Sequence, residues 1–164
     1  MKFSFYDAPF GRLALAAEND ELVAIRFSGQ PEESWELDDR ALRFVAKELD
    51  AWFAGRVQKF DLPLAPRGTD FQLAVWNALQ EIPYGETTSY GDLARLLGKP
   101  SAFRAVGAAN GANPIPIVIP CHRVIGSNRS LTGFGGGIPT KRWLLDHEAR
   151  TSGRVLPFLV TPKM

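Results

Sequence analysis

The chain is organised around residues 113–124, which read Asn113-Pro114-Ile115-Pro116-Ile117-Val118-Ile119-Pro120-Cys121-His122-Arg123-Val124 and hold its only cysteine. The three prolines fix the backbone φ angle and remove backbone donors, so this stretch suits neither a helix interior nor the middle of a sheet. We expect a rigid, mostly buried segment that holds Cys121 in one place. His122 and Arg123 follow directly, and such electropositive neighbours raise the thiolate fraction of a cysteine.

At the level of this pattern, two interpretations of Cys121 stay open. A lone cysteine is often a small buried hydrophobe without a chemical role. The proline segment and the adjoining imidazole of His122 favour a reactive thiol instead. A single cysteine cannot form an internal disulfide, so a reducing, intracellular compartment is the default expectation.

Composition is ordinary for a globular chain of one domain or two small ones, with 45% hydrophobic and 23% charged residues. No segment approaches the roughly 18 apolar residues of a membrane span, and the first residues lack the apolar core of a signal peptide. The net charge of +1 hides an asymmetry, because residues 1–84 carry −5 and residues 85–164 carry +6. A basic half suggests contact with a polyanion, although a merely solvated basic face would look the same.

The first 60 residues predict a small α/β unit. Polar and acidic residues 28–39 predict a loop, and a helix capped by Asp38 or Asp39 and ended by Gly55 follows it. Residues 61–68, rich in proline and glycine, predict a linker. Apolar-rich segments separated by turn residues predict three antiparallel strands: Lys2–Tyr6, Leu13–Ala17 and Leu22–Phe27.

The second half predicts mainly helices. Asp70 is the expected N-cap of the first, which Pro83-Tyr84-Gly85 ends. Residues 126–137, with five glycines and several polar residues, predict a flexible loop. Pro139 suits the first position of a last helix that carries Glu148.

Between them, two short helices joined by a glycine-containing turn form a helix-turn-helix candidate. Ser89 and Ser101 are the expected N-caps. Arg104 lies in the first turn of the second helix, where the helix dipole disfavours a cation, and this hints at function. That helix also presents small residues that would allow either close approach to a minor groove about 6 Å wide or packing against another helix: Gly107, Ala108 and Ala109.

The motif Asn-Pro-x-Pro-x-x-x-Pro-Cys-His-Arg-Val of residues 113–124 resembles the active-site signature of the O6-alkylguanine-DNA alkyltransferases, or methylated-DNA–protein-cysteine methyltransferases. Residues 85–90, 104–107 and 143–148 resemble further family blocks in their expected order. The likeness is close from about residue 69 to 148 and loose over the first 60 residues. It implies an α/β N-terminal domain, with a small antiparallel sheet plus a helix, followed by a mainly α C-terminal domain with a winged helix-turn-helix.

Linker and resemblance together predict an N-terminal domain over residues 1–66, a DNA-binding alkyltransferase domain over 67–152 and a tail over 153–164. The resemblance implies DNA repair by direct, irreversible transfer of the alkyl group from O6-methylguanine in duplex DNA to Cys121, with the base flipped through the minor groove. The expected partner is therefore double-stranded DNA containing O6-alkylguanine. Because the sequence offers no second thiol and no cofactor site to remove the product thioether, we expect the protein to act once and to need no cofactor.

The resemblance also implies a role for each matching residue. Cys121 would accept the alkyl group, His122 would activate it as a base, and Glu148 would orient His122. We expect a water to bridge Cys121 and His122, because adjacent residues on a helix do not face each other. Asn113 would brace the proline segment and Tyr90 would assist base flipping. The remaining implied site residues are the base-pocket pair Phe134 and Gly135, and the DNA-binding set Arg104, Tyr90, Gly107, Ala108, Ala109, Ser89 and Arg123, of which Arg104 would enter the base stack.

Some departures from the family pattern matter. Phe134 stands where tyrosine is more usual, and Ala112 where many bacterial relatives have a basic residue. The only Cys and His residues are Cys121, His122 and His147, so no structural zinc site with three or four such ligands is expected. We expect a monomer in solution, cytoplasmic and nucleoid-associated if bacterial, and leave open whether binding along DNA is cooperative.

Two further hypotheses compete with the repair enzyme. One is a non-enzymatic DNA-binding module, such as a transcription factor or a lesion-sensing relative, although in the sensing relatives tryptophan replaces the cysteine. The other is a cysteine hydrolase, which would explain Cys121 and His122 but not the helix-turn-helix. A lasting adduct on Cys121 distinguishes the first hypothesis from both.

Overall fold

The protein's structure, a computed structural model, describes residues 1–154; of the predicted tail, residues 155–164 lie outside the described residues. The N-terminal half is built on a four-stranded sheet with the order β3-β2-β1-β4. Its strands are β1 (Lys2–Ala8), β2 (Gly11–Glu18), β3 (Glu21–Arg26) and β4 (Glu36–Leu37). The three predicted strands are thus confirmed.

The sheet is mixed rather than purely antiparallel. β1 pairs antiparallel with β2, and β2 with β3. Asn19 and Asp20 join β2 to β3 with φ angles of 52° and 62°, the left-handed pair that a tight hairpin turn requires. β4 pairs parallel with β1, in a region that the sequence predicts as loop; this two-residue strand is exposed and exists only through its pairing, so no hydrophobic alternation announces it.

Up to residue 154, five α-helices follow the sheet: α1 (Arg43–Phe53), α2 (Asp70–Leu79), α3 (Tyr90–Leu96), α4 (Phe103–Gly111) and α5 (Ile138–Ser152). The short strands β5 (Thr88–Ser89) and β6 (Val124–Ile125) pair in parallel. A 3-10 turn, Cys121–Arg123, leads into β6. Together α3 and α4 form the helix-turn-helix, and Gly98 at φ +72° makes the turn between them.

The helix starts differ in part from their predicted caps. Ser89 is confirmed as the N-cap of α3, with its Oγ accepting from Asp92 N at 3.0 Å. Asp70 is the wrong residue for α2, because Thr69 Oγ1 accepts from Gln72 N and the Gln72 side chain accepts from Thr69 N. Ser101 is also wrong, since it lies inside a 3-10 turn and α4 begins without a side-chain cap.

One hydrophobic core runs through both halves, from Leu13 in β2 through Trp52 in α1 to Leu144 in α5. The predicted linker is part of this packing: Leu22 N donates to Pro63 O, and Ala65 N donates to Leu22 O, both at 2.9 Å. The end of β3 also binds the proline segment, because Ile25 N donates to Pro114 O at 2.9 Å. The sheet is therefore held against the segment that carries the cysteine.

Candidate active site

The proline segment is held rigid by hydrogen bonds that its own residues make to its backbone. Asn113 uses both ends of its amide: Nδ2 donates to Ile119 O at 2.8 Å and Oδ1 accepts from Ile115 N at 3.0 Å. Pro120, at φ −81° and ψ 63°, forms an inverse γ-turn in which Cys121 N donates to Ile119 O at 2.7 Å. Asn113 therefore braces this segment, as its predicted role requires.

Cys121 is 4% exposed, yet its side chain borders a cavity of about 320 Å³. That volume lies within the range of small-ligand sites. Asn113 and Pro116 line one side of it, and Phe134 and Gly135 from the glycine-rich loop also contribute. The structure thus brings together Cys121, Asn113 and both predicted base-pocket residues.

The resting thiol is protonated, contrary to the expectation of an enriched thiolate. Burial raises the pKa of Cys121 to about 11, against which a hydrogen bond from Asn113 and the charge of Lys141 act more weakly. The expected help from Arg123 is missing because its guanidinium is engaged elsewhere. Nucleophilic attack by Cys121 therefore requires that its proton be removed during the reaction.

Arg123 lies in the interior, only 7% exposed. Its Nε and Nη2 bind the two oxygens of Glu148, each at 2.9 Å, while Nη1 donates to Ile82 O at 2.7 Å. The prediction that Arg123 contacts DNA is wrong for this position, since its donors face the protein. Sequence proximity to Cys121 misleads here because the 3-10 turn directs neighbouring side chains apart.

Glu148 is hydrogen-bonded to three residues from two segments of the chain. Besides Arg123, His122 Nε2 lies 2.6 Å from Glu148 Oε2, and Gly85 N donates to Oε1 at 3.2 Å. Burial raises the pKa of Glu148, but His122 and Arg123 outweigh it and lower that pKa to about 2. The carboxylate is therefore ionised and can only accept hydrogen bonds.

The partner of His122 fixes its proton arrangement. Burial lowers the pKa of His122, although Glu148 opposes this, so the neutral imidazole is favoured. Because Glu148 only accepts, Nε2 carries the hydrogen and Nδ1 presents a lone pair. That buried Nδ1 has no hydrogen-bond partner among residues 1–154, so His122 does not bind the thiol of Cys121 directly. The predicted lack of direct contact agrees with this geometry.

The residues of the helix-turn-helix that are predicted to bind DNA differ in their exposure to solvent. Arg104 and Ala108 are exposed on α4 and Gly107 is partly exposed. Ala109 is only 4% exposed and its carbonyl accepts from Trp76 Nε1 at 2.8 Å. The prediction that Ala109 faces DNA is wrong, because helical periodicity turns it into the core.

Tyr90 stands at the first position of α3 and reaches the glycine-rich loop. Its hydroxyl lies 2.9 Å from Thr132 Oγ1, and a Cβ added to Gly107 would lie 3.7 Å from its ring. Tyr90 borders an open depression beside the Cys121 cavity, and Gly133 borders both. Ser89 instead uses its hydroxyl as the helix cap.

Two buried residues at the site escaped prediction. Lys141, 0% exposed, donates from Nζ to Val124 O at 2.6 Å, and burial lowers its pKa to about 8. Its spacing of seven residues from Glu148 places both on one face of α5, a signal that the sequence contains. Asn110, 4% exposed, lines the cavity with its Oδ1 unpartnered among the described residues. The cavity is further lined by β3 and its continuation, residues 25–28.

Comparison with known proteins identifies the same architecture elsewhere. Residues 1–66 match the family model of the 6-O-methylguanine DNA methyltransferase, ribonuclease-like domain, and residues 70–150 match that of its DNA binding domain. The methylated-DNA–protein-cysteine methyltransferase of Methanosarcina acetivorans is 45% identical over 153 residues, covering 90% of this chain and 98% of that one. The Mycobacterium tuberculosis protein of the same name is 51% identical over 146 residues, covering 87% and 88%.

Solved structures agree. The crystal structure of Mycobacterium tuberculosis OGT in complex with DNA matches with a TM-score of 0.88 and 48% identity, covering 92% of this chain and 94% of that one. Fold and site therefore define a cysteine-dependent group-transfer enzyme. The chain belongs to the 6-O-methylguanine DNA methyltransferase family, whose members repair DNA by transferring an alkyl group to a cysteine. Within residues 1–154, no helix is both long and apolar enough to cross a membrane.

Proposed function

We propose that Cys121 is the acceptor and takes the alkyl group from O6-alkylguanine in duplex DNA. The observation that carries this proposal is the position of the only cysteine, at the border of a purine-sized cavity and next to the buried pair of His122 and Glu148. The Sγ–carbon bond forms as the carbon–O6 bond breaks. The electron pair of the broken bond leaves with guanine, whose developing negative charge needs donors.

The thiol proton needs a base because burial keeps the pKa of Cys121 at about 11. His122 Nδ1 carries the lone pair that can take it, through a water that reaches the Cys121 sulfur. Glu148 stabilises the imidazolium that results, which is the logic of a triad with cysteine as nucleophile. Arg123 fixes Glu148 from its other side and so positions the base rather than binding DNA.

DNA would be bound by the helix-turn-helix. Exposed Arg104 and the small residues Gly107 and Ala108 let α4 approach a groove closely, and Arg104 can replace the extruded base in the stack. Tyr90 would assist extrusion and donate a hydrogen bond to the leaving guanine. The product is a thioether on Cys121, so each molecule would react once. Residues 1–66 and 67–152 would be the two domains, in a monomeric protein that works in the cytoplasm, or at the nucleoid if the source is bacterial.

Intact mass after incubation with a duplex containing one O6-methylguanine tests the proposal. The expected result is a gain of one methyl group in place of a hydrogen, located on Cys121 by peptide mapping. A Cys121→Ala variant should gain no mass yet still bind the lesion-bearing duplex. An unchanged mass with sustained binding would indicate a DNA-binding module, and turnover without an adduct would indicate a hydrolase.

A salt titration of the same binding reaction tests the groove model separately. Affinity should fall as salt rises, because cationic side chains that neutralise phosphates release counterions. A flat response would contradict binding through the basic half.

A further inference from the structure

The end of β3 contacts both sides of the Cys121 cavity. On one side Ile25 N donates to Pro114 O of the proline segment at 2.9 Å. On the other, the ring of Phe27 packs edge-to-face against Phe134, with centroids 5.3 Å apart. Ile25, Phe27 and Phe134 all line the cavity. The N-terminal sheet is thus a structural part of the pocket.

Gly136 shows how closely the glycine-rich loop rests on this ring. A Cβ added to Gly136 would lie 2.9 Å from two ring carbons of Phe27 and 3.0 Å from a third, closer than side-chain carbons approach. The backbone of Gly136 does not have the left-handed φ that favours glycine. The contact with Phe27, rather than backbone conformation, therefore explains the absence of a side chain at this position.

Phe27 is itself held from behind. Phe10, in the turn between β1 and β2, packs against Phe27 with ring centroids 6.1 Å apart. Phe10 also packs edge-to-face against Trp143 of α5 at 5.4 Å. A ring packed in this way cannot move easily, because closely packed cores resist small displacements. The position of the Phe27 ring therefore fixes the position of the loop that rests on it.

We propose that Phe27 is a positioning residue for alkyl transfer. Its ring supports loop residues 134–136 and so sets the width of the pocket in which the base meets Cys121. This inference rests on the proposed function, and it gives the N-terminal sheet a role in the rate of transfer rather than in DNA affinity. The loop is bound elsewhere through Thr132, so loss of the ring should displace only the part of the loop that lines the pocket.

The first test uses Phe27→Ala with a saturating duplex containing O6-methylguanine. Because each molecule reacts once, the final alkylated fraction counts folded protein and the first-order rate constant reports positioning. We expect an unchanged fraction and a rate constant reduced about tenfold or more, since displacements near 1 Å suffice for such losses. Affinity for the unmodified duplex should stay within about twofold of wild type, because α4 is untouched.

Phe44→Ala is the matched control, because Phe44 is a partly buried ring of the N-terminal half, on α1, packed against the same core but not lining the cavity. It should lower thermal stability without changing the rate constant. Phe27→Leu, which keeps bulk under the loop, should recover most of the rate. The inference is wrong if Phe27→Ala transfers at the wild-type rate, or if Phe44→Ala slows transfer as much.

A second test combines substitutions at the two contacting positions, Phe27 and Gly136. Gly136→Ala alone should slow transfer, because its methyl group collides with the Phe27 ring. In a Phe27→Ala background the same change should cause no further loss, since the ring is gone. Independent losses that multiply would overturn the contact as the cause. If wild-type protein itself gains no alkyl group, the proposed function fails rather than this inference.

Discussion

In the N-terminal sheet the ion pairs lie on the surface, whereas around Cys121 charged side chains are buried. The pairs Lys2–Glu36, Arg12–Asp7 and Arg26–Glu32 all keep more than a third of each side chain exposed. The core positions of β2, residues 13–17, are entirely apolar. Near the cysteine, by contrast, four ionisable residues are at most 7% exposed: His122, Arg123, Lys141 and Glu148.

This difference in the burial of charge distinguishes the region around Cys121 from the sheet. Burying charge opposes folding unless each group is paired, and an apolar replacement is often at least as stable. The sheet keeps its charged side chains exposed and its core positions apolar, so stability alone explains its composition. Stability alone does not explain the cluster around Glu148, which keeps an ionised carboxylate hydrogen-bonded to His122 Nε2 in the interior. The following experiments compare the two regions directly.

The largest expected effect comes from removing the acceptor at the centre of the cluster. Glu148→Ala leaves Arg123 buried without its carboxylate, which should lower the free energy of unfolding by about 3–5 kcal/mol. Urea denaturation measures it. The control is Glu36→Ala, which breaks the exposed pair with Lys2 and should change stability little. Similar losses in both variants would contradict the contrast between the two regions.

The pH dependence of stability gives a smaller effect with a definite sign. The pKa of Glu148 is lowered from 4.5 to about 2 in the folded protein. A carboxyl with a lowered folded pKa contributes stability that is present above its unfolded pKa and lost as pH falls. Between pH 6 and pH 3 we expect wild type to lose about 2 kcal/mol more than Glu148→Gln. Parallel curves for the two proteins would show that Glu148 is not perturbed.

Lys141 should affect reactivity more than stability. Its charge lowers the pKa of Cys121 against the dominant effect of burial. Because the pKa of Lys141 is itself about 8, Lys141→Met should slow alkylation of Cys121 by iodoacetamide below pH 8, where Lys141 carries its charge, and should leave the rate at higher pH nearly unchanged. Arg150→Met serves as the control, because Arg150 is an exposed cation on the same helix, paired with Asp146. An unchanged pH profile for Lys141→Met would contradict an effect of Lys141 on the reactivity of Cys121.

The sequence predicts the parts of this molecule that have local causes. Apolar segments between turn residues predict three strands that the structure contains. The motif around Cys121 and the block containing Glu148 indicate the proposed acceptor thiol, the proposed base and a carboxylate that lies 2.6 Å from that imidazole. It does not predict β4, whose two exposed residues pair only because β1 lies beside them. It also misplaces Arg123, since burial of a guanidinium depends on a carboxylate 25 residues away. Long-range pairing of this kind leaves no local pattern.

At the start of α2 the sequence contains the local pattern of the correct cap, one residue before the predicted Asp70. Thr69 followed three residues later by Gln72 is a capping-box sequence, and both of its hydrogen bonds form. Asp70 lies at the first helical position, where its charge gains only from the helix dipole.

Substitution at these two adjacent positions gives the smallest effect we predict. Thr69→Ala should lower the free energy of unfolding by about 1 kcal/mol, because Gln72 N loses its acceptor. Asp70→Asn should lower it by only a few tenths of a kcal/mol, roughly the dipole contribution at an exposed site. Urea denaturation at low salt resolves the two, and raising the salt should shrink the Asp70 effect alone, since a hydrogen-bonded cap is not screened. A larger loss for Asp70→Asn than for Thr69→Ala would show that the helix start depends on Asp70.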